Sequence, residues 1–218
     1  MNKFIRQKDL VNYKIFNVPI TVIGVGGIGS FTVLTLAKMG FRNITIYDHD
    51  RVEQHNLPNQ FYRIKDLKKY KVDALADLVY EFEGLKIKKI NKKWLTTHKS
   101  KGIIISAVDN METREILFNY ICKNKLLFID GRMGKFQAEI YIVKPGNKRD
   151  IEIYKSRLWK NDQVEPIKCT EKAIIFNVVF IASIICNQIR LVLENKIYAS
   201  CIIADLQNTR ICKIDERK

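Results

Sequence analysis

Four glycines, two carboxylates and one lysine are spaced as chemistry on a triphosphate requires. Residues 19–30 read PITVIGVGGIGS, an apolar run that breaks into Gly24, Gly26, Gly27 and Gly29 and then resumes with helix-forming residues. That pattern predicts a buried parallel strand over Pro19–Ile23, a tight bend, and a helix opening near Ser30. The free N–H groups at such a helix N-terminus are where an anionic phosphate is held. A second strand over Asn43–Tyr47 ends in Asp48, nineteen residues after Gly29, where a Rossmann-type site places its ribose-binding carboxylate. Residues 102–107 (GIIISA) read as a fully buried strand that runs into Asp109, level with the glycine turn. Lys71 can neutralise phosphate charge, and Asp109 can hold Mg²⁺ through hard oxygen ligands. A hydride-transfer enzyme would require neither the lysine nor the second carboxylate.

The elements that must position these groups alternate as an α/β fold does. The expected architecture is Rossmann-like: a mostly parallel sheet with helices on both faces and an antiparallel C-terminal extension. After the glycine turn, Phe31, Leu34, Leu36 and Ala37 supply helical apolar positions, and Gly40 is a natural C-terminal cap. Residues 47–63 form a polar loop of the kind that carries chemistry on a rigid sheet. Asp66 is expected to cap a helix running to about Glu83, with Lys71 one turn in. A third strand is expected at Ile87–Ile90 and a helix over Met111–Cys122. Strands at Leu126–Ile129 and Gln137–Val143 follow, the latter alternating as a strand with one exposed face does. Residues 144–170, opened by Pro145-Gly146-Asn147, lack periodicity and read as a flap or crossover carrying Tyr154 and Trp159. Thr170 can cap a long apolar helix to about Glu194, and short strands at Ser200–Ala204 and Arg210–Ile214 close the chain. The whole of 1–218 reads as one domain, with residues 1–18 a surface arm.

Composition bounds the partners. There are 38 basic against 23 acidic residues, a net charge of +15, which favours nucleotides, nucleic acid or acidic proteins without choosing among them. Lysines 86, 88, 89, 92, 93, 99 and 101 fall in one stretch without an acidic residue, either a solvated strand edge or a contact for nucleic acid such as tRNA. Five cysteines form no CxxC pair, so no structural zinc and no disulfide framework is expected, and reduced thiols fit a cytoplasmic protein. The N-terminus MNKFIRQKDL lacks the long apolar core of a signal peptide. Ala173–Cys186 reads as a core or interface helix rather than a membrane span.

Taken in order, several pieces resemble the ThiF/MoeB/HesA family, adenylyltransferases related to ubiquitin-activating enzymes. They are GVGGIGS, the D-x-D-x-V-x-x-x-N-L run from Asp48 through Asp50 and Asn56 to Leu57, Gln60, Lys71-Val72, and Asp109-Asn110 followed by Thr113-Arg114. Cys169, in KCTEKA, resembles the family's cysteine before its long apolar helix. The resemblance covers roughly residues 5–193. It implies ATP on Gly24, Gly26, Gly27 and Gly29, contacted by Asp48, Asp50, Asn56, Gln60, Lys71 and Asn110, with Mg²⁺ at Asp109. The implied substrate is the C-terminal carboxylate of a ubiquitin-like protein or peptide, which attacks the α-phosphate to give an acyl-adenylate. The family commonly dimerises, and Arg6 matches an arginine that reaches the partner's ATP. Cys169 fits either a covalent intermediate or a structural thiol. One departure stands out: the family's N-L-x-R-Q supplies an arginine, but here Asn59 occupies that place, and Arg6, Arg51 or Arg63 would have to compensate. His49 and His55 are loop histidines, solvated or touching ligand. Arg114 and Arg132 can each bind phosphate or pair with an acid. A tRNA-modifying adenylating enzyme and a non-catalytic nucleotide-binding scaffold are the competing functions.

Overall fold

A computed structural model describes residues 3–158 and 173–217. Eight strands form one sheet in the order β3-β2-β1-β4-β5-β6-β7-β8. Strands β1 (Ile20–Ile23), β2 (Ile44–Tyr47), β3 (Lys88–Ile90), β4 (Ile103–Ser106) and β5 (Leu127–Gly134) are parallel. Strands β6 (Gln137–Val143), β7 (Tyr198–Asp205) and β8 (Arg210–Arg217) continue antiparallel, each longer than or equal to the sequence expectation. The central strands β1 and β4 are buried at every position, as apolar β-branched runs covered on both faces must be. The chain leaves β1 for β2 on one side and reaches β4 on the other, so a crevice opens beyond the carboxyl ends of β1 and β4.

One face of the sheet is covered by α1 (Gly27–Met39), α2 (Lys71–Glu83) and α5 (Ile175–Leu193), which meet Ile20, Val22, Ile44, Ile46, Ile105 and Ile140. Helix α5 is long and apolar enough to cross a membrane, but its inner face, including Val178, Ile181, Ile185 and Ile189, is buried in this core. The other face is covered by α3 (Met111–Asn124) and α4 (Lys148–Lys155), around Ile104, Phe128, Tyr141 and Tyr154.

Three expectations are corrected. Helix α2 starts at Lys71, not after Asp66, because Lys68 adopts a left-handed φ of 71° that no helix can continue through. Asp66 instead ends a 3₁₀ turn, and its buried carboxylate accepts from Arg63 and Lys69. The second face of β6 is exposed at Gln137 and half-buried at Glu139, but Tyr141 is fully buried beneath Tyr154 of α4, ring centroids 5.5 Å apart. The flap reading therefore fails over 148–155, where Asn147 caps α4 by accepting from the Arg149 and Asp150 N–H groups. Trp159 and Thr170 lie outside the described residues. Residues 3–18 lie mostly on the surface, as expected of an arm, and are docked there: Ile15 is buried, Phe16 packs edge-on to Phe41, and Gln7 donates to the Met39 carbonyl.

Candidate active site

The site is built where β1, β2 and β4 end together: Ile23 lies in register with Tyr47 and with Ser106. Gly24, at φ +84°, turns the chain sharply, and its N–H donates to the Tyr47 carbonyl. A Cβ there would lie 2.6 Å from the Ala107 carbonyl oxygen, so the turn abuts the backbone that leads to Asp109. Gly26 then serves as N-cap of α1, which begins at Gly27, three residues ahead of Ser30. With no side chain capping that helix, its first N–H groups are open to an anion.

Asp48 joins this turn to the polar loop. One carboxylate oxygen accepts from the Val25 N–H and the other from the Asp50 N–H, both at 2.8 Å. Each oxygen keeps a second lone pair for a ribose hydroxyl. Tyr62 secures the same turn, its buried hydroxyl donating to the Val25 carbonyl at 2.6 Å. Burial, with Asp48, Asp66 and Asp50 nearby, pushes that phenol well above its ordinary range, so it remains a donor. The sequence reading missed Tyr62.

Gln60 is brought against the glycine turn, while Asn56 is held within the polar loop. The Asn56 side-chain oxygen accepts from the Glu53 N–H and closes a 3₁₀ turn. The Gln60 amide lies against Gly26, and its Oε1 is buried with no hydrogen-bond partner among the described residues. Lys71, the first residue of α2, donates its N–H to the Asp50 carbonyl and places Nζ 2.9 Å from Asp50 Oδ2. Burial opposes ionisation of Asp50, but the Lys71 ammonium outweighs it and holds the carboxyl below its usual range. Asp48, His49 and Asp50 present ligand atoms within 4.8 Å of one another, yet Asp48 is taken by backbone N–H groups and Asp50 by Lys71.

Asp109 is exposed beyond β4, and its carboxylate accepts a long hydrogen bond from the Asn110 amide at 3.3 Å. An exposed carboxylate with lone pairs to spare is a suitable hard donor set for Mg²⁺. The Asn110 oxygen itself accepts from the Thr113 N–H and caps α3, so its part is to anchor the loop. Arg114 and Arg132, left open between phosphate and acid, both pair with the fully buried Asp130 at 3.2 and 2.7 Å. Burial raises the cost of charging Asp130, but the two guanidinium groups win and hold its carboxyl below its ordinary value of 3.8. A carboxyl lowered in the folded state stabilises fully above its unfolded pKa and loses that contribution as pH falls through the folded value. Wild-type stability is therefore expected to decline in acid below about pH 4 more steeply than that of Asp130→Asn, measured by urea unfolding across pH 2–6.

Three candidate arginines are not brought to the glycine turn of their own chain. Arg6 is exposed on a 3₁₀ turn beside the C-terminal end of α1, about 20 Å from the glycine turn at 1.5 Å per helical residue. Arg63 is committed to Asp66 and Glu81, while Arg51 stacks on Tyr70 and donates to the Lys68 carbonyl. Cys169 lies outside the described residues. Among the described cysteines, burial pushes Cys186 up, and Cys201 up to about 11.

A glycine turn at a helix N-terminus, with Asp48, Lys71 and Asp109 at the same end of a mostly parallel sheet, marks a Rossmann-like domain. Residues 3–215 match the model of the ThiF family, and the chain belongs to that family. It is 31% identical over 148 residues to the NEDD8-activating enzyme E1 catalytic subunit of Arabidopsis thaliana, covering 59% of this chain and 33% of that protein. It is 28% identical over 148 residues to the ubiquitin-like modifier-activating enzyme 5 of Drosophila mojavensis, covering 58% and 37%. The chain thus spans about a third of the length of these curated relatives. In fold it is similar to E. coli MccB with AMPCPP and MccA, TM-score 0.79 at 17% identity, covering 98% of this chain and 71% of that one. PaaA is likewise similar, TM-score 0.74 at 18% identity, covering 94% and 65%.

Proposed function

We propose that this chain is an ATP-dependent adenylyltransferase that activates the C-terminal carboxylate of a ubiquitin-like protein or peptide. The observation that carries the reading is the placement of Lys71 and Asp109 around a glycine turn braced by Asp48. The substrate carboxylate oxygen bonds to the α-phosphorus of ATP as the bond from that phosphorus to the bridging oxygen breaks, and pyrophosphate leaves with the electron pair. Gly26 to Gly29 and the α1 N-terminus hold phosphate, Asp48 takes the ribose, and Lys71 meets the charge that develops on the leaving group. Asp109, with a phosphate oxygen of ATP, would hold Mg²⁺, which supplies Lewis-acid polarisation when bound. Names of relatives support a ubiquitin-like substrate, and the MccB structure with MccA supports a smaller one. Arg6, remote from its own turn, would serve a second copy of the chain in a homodimer.

The test is ATP–pyrophosphate exchange with ubiquitin-like proteins, with peptides ending in Gly-Gly and with bulk tRNA, in wild type and Asp109→Ala. Exchange that requires an acyl partner and is lost in Asp109→Ala is expected. Exchange supported by tRNA alone would transfer the assignment to RNA modification. ATP binding without exchange under any condition would make the chain a nucleotide-binding scaffold. A hydroxylamine-sensitive adduct lost in Cys169→Ser would add a covalent step.

A further inference from the structure

We infer that Asp130 is a positioning residue for the metal-binding loop, acting through Arg114 on the Val108 carbonyl and so on the direction of Asp109. The inference rests on the adenylation reading in taking Asp109 as the metal ligand. Arg114 spans two partners: Nε donates to Asp130 Oδ1 at 3.2 Å, and Nη2 donates to the carbonyl of Val108 at 2.5 Å. Val108 immediately precedes Asp109. Immediately after it, Asn110 is pinned to the first turn of α3 through the Thr113 N–H. Upstream, the Ala107 N–H donates to the Ile23 carbonyl at the end of β1. The backbone on both sides of Asp109 is therefore fixed, while its side chain is exposed.

Asp130 is what holds the clamp in place. Its other oxygen accepts from Arg132 Nε at 2.7 Å and from the Tyr154 hydroxyl at 3.0 Å, so the carboxylate cannot rotate without breaking three contacts. Burying one anion with two arginines is an inefficient way to stabilise a core, because desolvation of the charges consumes most of their attraction and an apolar cluster serves as well. A fork that must reach a carboxylate and a backbone carbonyl together does need a guanidinium. Arg132 extends the arrangement by donating to the Arg157 carbonyl just beyond α4, which joins the metal loop to the chain leaving that helix.

The experiment measures Mn²⁺ binding to the ATP-loaded protein by electron paramagnetic resonance, for wild type, Arg114→Lys, Asp109→Asn and the double variant. Lysine keeps the charge opposite Asp130 but cannot reach both acceptors. Arg114→Lys is expected to weaken Mn²⁺ binding about 10-fold, as loss of an outer-shell partner typically does, and to leave ATP binding in EDTA unchanged. In the Asp109→Asn background the same change is expected to add nothing, because coupled residues are not additive. Unchanged Mn²⁺ affinity in folded Arg114→Lys, or an equal further loss in the Asp109→Asn background, would overturn the inference. Asp130→Asn is the second variant, with the same expectation, and failure of both to fold would assign the network to the fold alone. Pyrophosphate exchange run on the same preparations separates the two ideas: coupled Mn²⁺ affinities without exchange would sink only the adenylation reading.

Discussion

Pyrophosphate exchange by Lys71→Ala is expected to fall roughly 10²- to 10³-fold, the usual consequence of removing a preorganised group from developing charge, with the fold untouched. Its position makes this separation possible. A cation in the first turn of a helix opposes the helix dipole, at a cost of about 0.3–1 kcal/mol, and Lys71 is the first residue of α2. Its partner Asp50 is half exposed, so solvent screening leaves their pair worth about 0–1 kcal/mol. The two effects are of opposite sign and similar size, so the thermal midpoint of Lys71→Ala without ligand should match wild type. Lys71→Arg is not expected to rescue exchange, because a planar fork does not reproduce the point charge that the largely buried Lys71 ammonium presents. Exchange at the wild-type rate in folded Lys71→Ala would remove Lys71 from the chemistry and with it the main support for adenylation.

The parallel half of the fold was legible because its strands declare themselves. ITVI, ITIY and IIIS are runs rich in β-branched residues, ITVI followed by Gly24, ITIY by Asp48 and IIIS by Ala107-Val108 ahead of Asp109, the composition of strands covered on both faces. Gly24, Asp48 and Asp109 follow from them, since the ends of adjacent parallel strands lie on one rim. Helix α4 was hidden for the opposite reason: KRDIEIYK offers few apolar residues, and its buried Asp150 finds partners only when Lys144 after β6 and Ser200 of β7 arrive beside it. The start of α2 was misplaced because Asp66 has the chemistry of an N-cap but spends it on Arg63 and Lys69. Nothing local marks Tyr62, whose partner Val25 is 37 residues away, or chooses Asp130 over phosphate for Arg114 and Arg132. Those contacts join a loop to the glycine turn and helix α3 to β5, and exist only once the elements have packed on the sheet.

Gly29→Ala is expected to remove ATP binding by deforming the turn rather than by touching the nucleotide. A Cβ at Gly29 would overlap the Gly24 carbonyl oxygen, a backbone atom that cannot swing aside as a side chain would. Gly24 in turn is fixed from three directions: by its hydrogen bond to the Tyr47 carbonyl, by the Ala107 carbonyl against its Cα, and by its left-handed φ. Relief must therefore come from moving α1 away from β1, which re-aims the N–H groups that hold phosphate and strains the Asp48 bond to the Val25 N–H. Overpacking of this kind costs about 1–3 kcal/mol, or a fall of roughly 2–12 °C in the thermal midpoint for a chain of this size. Ligand bound to the folded state raises that midpoint by mass action, so wild type should show an ATP-dependent rise and Gly29→Ala should show none. The pairing of results is diagnostic: Lys71→Ala separates rate from stability, whereas Gly29→Ala must lose both, because the same backbone contact that packs helix on strand also shapes the phosphate site. An undiminished ATP shift in Gly29→Ala would place the nucleotide somewhere other than this turn.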